Sequence, residues 1–356
     1  MEKFSRLLLQ WHIDNPRDLP WKKNRNPYHI WLSEIILQQT RVEQGTPYFN
    51  KFIKNYPRVE DLALASEQSV MKDWEGLGYY SRARNLHASA KLIHQDYQGI
   101  FPSSYKEILN LKGVGPYTAA AIASFAFDLP HAVLDGNVFR VLSRIFGIHT
   151  PIDSTEGKKE FQALADKLLD AERAADYNQA IMNFGATHCK PKNPKCNTCP
   201  FVDDCIAYKN NTIQELPLKK KKLAKKERFF QYLIVKSGDE ILIRQRREKD
   251  IWRQLFEFPK LETKDNLPVA KIVEQLQNEG LNFENEDIIY LGNKKQILSH
   301  QVIRANFFLI ELKKEKSHSI FEDCEKVLQE ELTNFAFPVI IKELVQSNFS
   351  QGSFLF

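Results

Sequence analysis

The sequence predicts a mostly α N-terminal domain followed by a smaller α+β domain, joined by a basic linker. Three observations carry this expectation. From Phe4 to about Lys209, apolar residues recur at three- and four-residue spacing, punctuated by Asn-Pro, Tyr-Pro, Phe-Pro and Gly-x-Gly, with no sustained strand alternation. Near Leu216 the composition shifts to Lys219-Lys220-Lys221-Lys222, then Lys225, Lys226 and Arg228, a self-repelling run suited to an exposed tether or a DNA contact. Beyond it, Phe229–Val235 and Ile241–Arg244 flank Ser237-Gly238-Asp239 and form a β-hairpin pattern. The expected boundaries are 1–210, a linker at 211–228, and 229–356. The second domain is completed by helical periods at Val269–Gln277 and Val339–Val345, and by strands near Ile288–Leu291 and Phe307–Leu312.

The chain has 356 residues, 43% of them apolar, enough for two ordinary cores and too polar for a protein dominated by membrane spans. Met1-Glu2-Lys3-Phe4-Ser5-Arg6 runs directly into an amphipathic pattern without an apolar secretion segment, so a cytoplasmic, membrane-free protein is expected, nucleoid-associated if bacterial. A formal charge of +5 permits nucleic-acid binding without requiring it. Four of the five cysteines, Cys189, Cys196, Cys199 and Cys205, crowd one segment. That is the distribution of metal ligands rather than of a disulfide framework. Their order is Cys, six residues, Cys, two residues, Cys, five residues, Cys, with one Cys-x-x-Cys knuckle where zinc modules commonly have two. Thiolates suit zinc or iron, and chemistry alone leaves both open. Lys190, Lys192 and Lys195 make the loop cationic.

Ser103 or Ser104 can cap a short helix through Asn110, followed by Leu111-Lys112-Gly113-Val114-Gly115-Pro116-Tyr117. The glycines break the chain and Pro116 restarts it at a first helical position, where its missing N–H costs nothing. Backbone N–H groups then face outward at a helix N-terminus, a place suited to a phosphate or simply a structural turn. Some twenty residues on, Leu134-Asp135-Gly136-Asn137 puts an aspartate before another helix, as an N-cap or as a functional carboxylate. Near the start, Tyr28-His29-Ile30-Trp31-Leu32-Ser33-Glu34-Ile35-Ile36-Leu37-Gln38-Gln39-Thr40 is helical by composition. It sets Glu34 within a turn of Ile30, Trp31 and Leu37, where a carboxyl is hard to ionise and holds a proton near neutral pH.

Together these segments resemble the helix-hairpin-helix DNA glycosylases, and Trp31–Thr40 resembles the corresponding helix of the adenine DNA glycosylase (MutY) family. The resemblance implies hydrolysis of the base–sugar bond of adenine opposite 8-oxoguanine or guanine in double-stranded DNA, by a monomer. It implies that Glu34 protonates the leaving adenine and that Asp135 supports the sugar cation. The cysteine spacing resembles the four-iron four-sulfur (4Fe-4S) loop of endonuclease III and MutY enzymes. Gln39 and Thr40 match positions that approach the orphaned base. Glu75-Gly76-Leu77-Gly78-Tyr79-Tyr80 matches a segment whose tyrosine, here Tyr79, wedges into the duplex, with Leu77 beside it. Lys112, Gly113 and Gly115 are expected at the DNA backbone. Leu19-Pro20-Trp21 also matches, and Trp21, Arg17 and Asn137 are expected to line the adenine pocket. Tyr117 stands where bifunctional endonuclease III-type relatives carry a Schiff-base lysine, which favours base removal with little or no strand cleavage.

From Phe229 onward the chain resembles the MutT-like (Nudix-like) C-terminal domain of MutY proteins, most clearly at Trp252-Arg253-Gln254-Leu255-Phe256-Glu257-Phe258-Pro259. Gln277 and Asn278 stand where a working Nudix hydrolase needs paired glutamates for magnesium, so nucleotide hydrolysis is not expected. Leu298-Ser299-His300 resembles the family's Phe-Ser-His loop, which implies contacts to 8-oxoguanine from Ser299 and His300. The competing readings are an endonuclease III-like pyrimidine glycosylase, a non-catalytic iron–sulfur DNA sensor, and a zinc protein with a live Nudix domain.

Overall fold

A computed structural model describes residues 2–220, 225–265, 267–278, 288–311, 321 and 323–349. Lys221 and Lys222 of the basic run, Leu312, and Glu279-Gly280 lie outside the described residues. The chain divides into two compact units, one of residues 1–65 with 84–222 and the other of residues 66–83 with 223–356.

In the first unit, α1 (Glu2–Asp14), α2 (Pro27–Leu37), α3 (Val42–Asn55) and α4 (Val59–Leu64) lead to a helical body without strands among the described residues. Helix α2 is well specified at its start: Pro27 occupies the first turn and the Asn26 side chain accepts from Tyr28 N at 2.9 Å. From Tyr28 to Ile36 it is almost wholly buried, as a helix apolar on all sides should be. Helix α5 (Glu67–Asp73) belongs to the second unit; after α6 (Ser81–Asp96), most of which lies in the first, comes α7 (Tyr105–Leu109), capped by Ser104 in a reciprocal box with Glu107. Pro116 then opens α8 (Pro116–Phe127), an alanine-rich helix buried from Thr118 through Ser124. Small side chains let α2, α7 and α11 (Ala174–Thr187) pack against it. Helix α9 (Gly136–Phe146) buries Val138, Val141, Leu142 and Ile145, a three- and four-residue stripe. That stripe joins Phe4, Leu8 and Trp11 of α1, Phe161 of α10 (Thr155–Leu168) and Phe184 of α11 in one core, which Phe201 and Leu216 close. A short α12 (Ile206–Lys209) follows the cysteine segment.

The second unit is built on a mixed sheet. Its strands are β1 (Lys226–Ser237), β2 (Glu240–Gln245), β3 (Phe256–Glu257), β4 (Lys260–Thr263), β5 (Ile288–Ile297), β6 (Gln301–Glu311) and β7 (Glu325–Leu328). The order is β3-β2-β1-β6-β5, with β4 also on β1 and β7 also on β2. Strand β1 runs parallel to β6 and turns back into β2 through Gly238, whose φ of +62° suits glycine. Residues 230–235 of β1 are buried without alternation, the mark of a central strand covered on both faces. Leu233 and Val235 pack with Ile272 of α13 (Val269–Asn278), Phe308 and Ile310. Helix α14 (Val339–Phe349) closes the chain's described part.

Two details differ from the sequence expectation. Strand β1 starts at Lys226, before the expected Phe229 boundary, and Arg228 is not a tether residue. Its guanidinium pairs with Asp250 at 2.8 Å and Glu262 at 2.7 Å and lies over the Phe230 ring. Residues 66–83, expected with the helical domain, group with the second unit, where the Glu75 carboxylate accepts from Phe337 N and pairs with Lys72 and Lys342, each at 3.0 Å.

Candidate active site and cysteine loop

A cleft of about 1340 Å³ opens in the first unit, and Glu34, Tyr117 and Asp135 all line it. Helix α2 delivers Glu34 at 7% exposure among Ile30, Trp31 and Leu37. Gly115 and Pro116 start α8 so that Tyr117 meets it, the phenol donating to Glu34 Oε2 at 2.9 Å. Burial raises the Glu34 carboxyl to about 7, and the Asp135 charge adds to this against the opposing phenol hydrogen bond. Near neutral pH this carboxyl therefore divides between acid and carboxylate. Tyr117 is itself pushed well above the usual phenol range by burial and the neighbouring carboxylates, so it stays a donor.

Asp135 ends an extended segment and caps α9: Oδ1 accepts from Asn137 N at 2.9 Å and Val138 N at 2.8 Å. The Asn137 side chain donates to Oδ2 at 2.7 Å. Burial raises this carboxyl too, while these hydrogen bonds pull it down. Capping and cleft lining, alternatives in sequence, are one arrangement here. Asn137 also accepts from Arg140 Nη2 at 2.8 Å, and Arg140 Nε donates to the Cys189 carbonyl at 2.8 Å. Asp135 is thus tied through two side chains to the cysteine segment.

That segment leaves α11 at Cys189 and places Cys196, Cys199 and Cys205 around single helical turns. Burial leads in raising all three: Cys189 and Cys205 add to it at Cys196, Cys189 adds to it at Cys205 against a Tyr208 backbone hydrogen bond, and Cys199 is pushed up to about 12 with the other three thiols contributing, so the sulfurs lie within electrostatic range of one another. Arg144, 2% exposed, donates to the Lys190, Pro191 and Leu216 carbonyls and reaches Cys189 Sγ at 3.5 Å. Among the described residues no three His, Cys, Asp or Glu side chains are set around a single metal ion. Lys192 and Lys195 are exposed and Lys190 half-buried.

At the hairpin the two glycines serve different needs. Gly113 has φ +79°, and an added Cβ would meet Asn85 Cβ at 2.8 Å. Around Gly115 a Cβ would meet nothing within 4 Å, so an open space stands before the twelve-residue α8. The carbonyl of Lys112, between them and α7, accepts from Ser89 at 3.1 Å. Trp21 is buried edge-on to Phe49 and lines the cleft, as do Arg17, Asn137, Gln39 and Thr40. Gln38, next to them, donates to Thr118 Oγ1 at 3.3 Å. Sequence reasoning missed Lys22, Gln179, Met182 and Asn183 in the lining. The last three sit three and four apart on α11, a spacing indistinguishable from a core stripe.

In the second unit, Tyr79 projects from the surface at 46% exposure with φ +47°, a rare conformation for a non-glycine residue. Arg82 backs its ring at 5.6 Å and lies over Trp74 at 5.0 Å. The Tyr79 hydroxyl shares a 2.6 Å hydrogen bond with Ser299, which is exposed with His300 in the loop between β5 and β6. Leu77, expected beside Tyr79 at the DNA, is instead 5% exposed, its side chain packed away.

The family description "HhH-GPD superfamily base excision DNA repair protein" matches residues 32–169, and "NUDIX domain" matches 231–347. The chain is 37% identical over 284 residues to the adenine DNA glycosylase of Buchnera aphidicola subsp. Schizaphis graminum, covering 80% of each chain. It is 36% identical to that of Buchnera aphidicola subsp. Baizongia pistaciae, covering 93% of this chain and 92% of the other. Among solved structures, a thermostable thymine-DNA glycosylase aligns with TM-score 0.54 at 33% identity, over 58% of this chain and 95% of its own. Endonuclease III in a non-covalent DNA complex aligns with TM-score 0.52 at 23% identity, over 59% and 97%, and shares the fold. With these matches running through both halves and the buried acid, tyrosine and aspartate grouped in one cleft, the chain belongs to the adenine DNA glycosylase (MutY) family and is a DNA glycosylase.

Proposed function

We propose that this enzyme hydrolyses the bond between adenine and deoxyribose where adenine is mispaired with 8-oxoguanine, and also opposite guanine. The observation that carries this reading is Glu34: a buried carboxyl raised to about 7 and held at 2.9 Å by the Tyr117 phenol. A purine leaves poorly as an anion, so a neutral carboxylic acid in the cleft gives it the missing proton. Asp135, fixed by three hydrogen bonds, then sets its negative charge toward the sugar cation that develops as the bond breaks, an effect typically worth several kcal/mol. Water completes the reaction. Trp21, Arg17 and Asn137 shape the adenine pocket, while Gln39 and Thr40 approach the vacated place in the duplex.

The open space at Gly115, with Gly113 and Lys112 alongside, takes a DNA phosphate. Tyr79 wedges into the stack, offsetting part of the unstacking cost of extruding a base. The Tyr79–Ser299 hydrogen bond supports a common recognition patch in which Ser299 and His300 contact the damaged partner base. Cys189, Cys196, Cys199 and Cys205 would hold a four-iron four-sulfur cluster, and their fit rests on the shared neighbourhood of the thiols and on Arg144. This buried cation donates to carbonyls and a sulfur, and a thiolate-held cluster supplies the negative charge it needs. Held by the four cysteines, such a cluster would staple the loop, and the Arg140 and Asn137 hydrogen bonds would carry that rigidity to Asp135.

The test uses duplexes carrying adenine opposite 8-oxoguanine, adenine opposite guanine, and an oxidised pyrimidine, each read with and without alkali, on protein whose iron content is measured. Adenine release from the first two, strand breaks developing after alkali, and about four irons per chain are expected. Cutting of the pyrimidine duplex alone would establish the endonuclease III-like alternative. Release of no base by iron-loaded protein would leave a DNA-binding sensor.

A further inference from the structure

The turn between β5 and β6 is held from several directions, and one of the holds comes from the end of the basic run. Leu298 N donates to the Gln301 carbonyl at 2.8 Å, which closes the hairpin and leaves Ser299 and His300 as its two corner residues. At the tip, Ser299 shares its 2.6 Å hydrogen bond with the Tyr79 hydroxyl. On the flank, β1 runs parallel to β6 with Lys226 opposite Gln301, and Lys226 N donates to the His300 carbonyl at 3.1 Å. Arg228 reaches the Gln301 side chain at 3.2 Å while it stays committed to Asp250 and Glu262. Immediately before that strand, the exposed Lys225 ammonium donates to the Leu298 carbonyl at 2.6 Å. The backbone on both sides of the Ser299 corner is therefore tied to the start of β1, one tie by a main-chain amide and the other by the Lys225 side chain.

We propose that Lys225 is a positioning residue for discrimination between 8-oxoguanine and guanine: by holding the Leu298 carbonyl, its ammonium sets the angle at which Ser299 and His300 meet the partner base. A hydrogen bond from a charged donor is stronger than a neutral one, so this contact outweighs an ordinary turn contact. The two partner bases differ by a carbonyl at C8 and an N–H at N7, and a hydrogen bond to that edge weakens steeply when its donor or acceptor tilts away. The adenine chemistry belongs to Glu34, Tyr117 and Asp135 in the first unit, so loss of the hold acts on selectivity and not on excision as such. Tyr79 is the wedge and Arg228 neutralises two carboxylates, which leaves Lys225 as the hold that can be removed by itself. In a lysine-rich run the bland alternative is a phosphate contact, and the two roles predict different things. A phosphate contact strengthens binding to every duplex alike and does so in a salt-dependent way, whereas a hold on the turn acts through the partner base alone.

This inference rests on the reading role proposed for Ser299 and His300, and the experiment separates the two. Full-length, iron-loaded protein is compared as wild type, Lys225→Met, Lys225→Arg, Ser299→Ala with His300→Ala, and that pair combined with Lys225→Met. Single-turnover adenine release is measured opposite 8-oxoguanine and opposite guanine, and binding to an undamaged duplex is titrated at several salt concentrations. Lys225→Met should lower the preference for 8-oxoguanine about threefold or more, with release opposite guanine and the salt dependence of binding unchanged. Lys225→Arg, which returns a charged donor, should restore the preference. Added to the Ser299 and His300 pair, Lys225→Met should cost nothing further, because it acts through that turn. An equal loss opposite both partners, with the salt dependence reduced by about one ion, would make Lys225 a phosphate contact and overturn the proposal. So would an undiminished Lys225→Met effect in the paired background, or an unchanged preference in Lys225→Met where the pair loses it. If the pair itself keeps the preference, the reading role of the turn fails and the assignment of Lys225 falls with it.

Discussion

Glu34 carries opposite consequences for stability and for activity. Its carboxyl ionises near 4.5 in the unfolded chain and near 7 in the fold, so the native state favours the neutral form. The stability it contributes is complete below about 4.5 and is lost as pH rises through about 7, up to about 3 kcal/mol in all. Glu34→Gln, which cannot ionise, should therefore unfold at higher denaturant than wild type at pH 8, with the gap closing at pH 5, while its adenine excision falls by two or more orders of magnitude. Denaturant melts at the two pH values and single-turnover excision check both halves. A gap that widens toward pH 5 would mean that Glu34 is ionised in the fold. At this scale the sequence places Glu34 on an apolar helix by chemistry, while Tyr117 and the role of Asp135 are expected from the resemblance alone; the three line one cleft. It was silent on Lys22, because nothing local to Pro20-Trp21-Lys22 says which residues will face a cleft assembled from α1, α2, α8 and α11.

The hairpin between α7 and α8 shows how an element divides labour between similar residues. Both glycines are expected from sequence at the DNA backbone, but of the two only Gly115 faces open space, while Gly113 is required by its positive φ and by Asn85. Gly113→Ala should lower stability by about 1–2 kcal/mol from backbone strain alone, with the Asn85 contact adding to it. Gly115→Ala should leave the thermal midpoint nearly unchanged and weaken DNA binding several-fold. Thermal unfolding and DNA titration of the two variants distinguish these roles, and unchanged binding by Gly115→Ala would remove the phosphate from that position. The helices, the β1–β2 hairpin and the Ser104 cap were legible because each depends on neighbours in sequence. The start of β1 at Lys226 was not, since the charge run hides a strand whose Arg228 is neutralised by Asp250 and Glu262, far along the chain.

Across the whole molecule, the grouping of residues 66–83 with the C-terminal unit was beyond sequence reasoning, because it depends on contacts such as Glu75 with Phe337 and Lys72 with the Phe335 carbonyl. It also changes how the proposed reading role should be tested. Truncation near Leu216 would strip those partners from the segment bearing Tyr79, so substitutions in the intact chain are the cleaner probe. Ser299→Ala with His300→Ala should reduce excision opposite 8-oxoguanine more than opposite guanine, by tenfold or more in selectivity if each lost hydrogen bond costs on the order of 1 kcal/mol. An equal loss opposite both partners would make the loop a general DNA contact. The most direct measurement of the central claim is the single-turnover rate of adenine release by the full-length enzyme from the adenine:8-oxoguanine duplex as a function of pH. With Glu34 as the acid, facing Tyr117 and Asp135, the rate should be highest below about 7 and fall as pH rises through that value. A rate that stays level or rises through neutral pH, or the absence of adenine among the products, would contradict it.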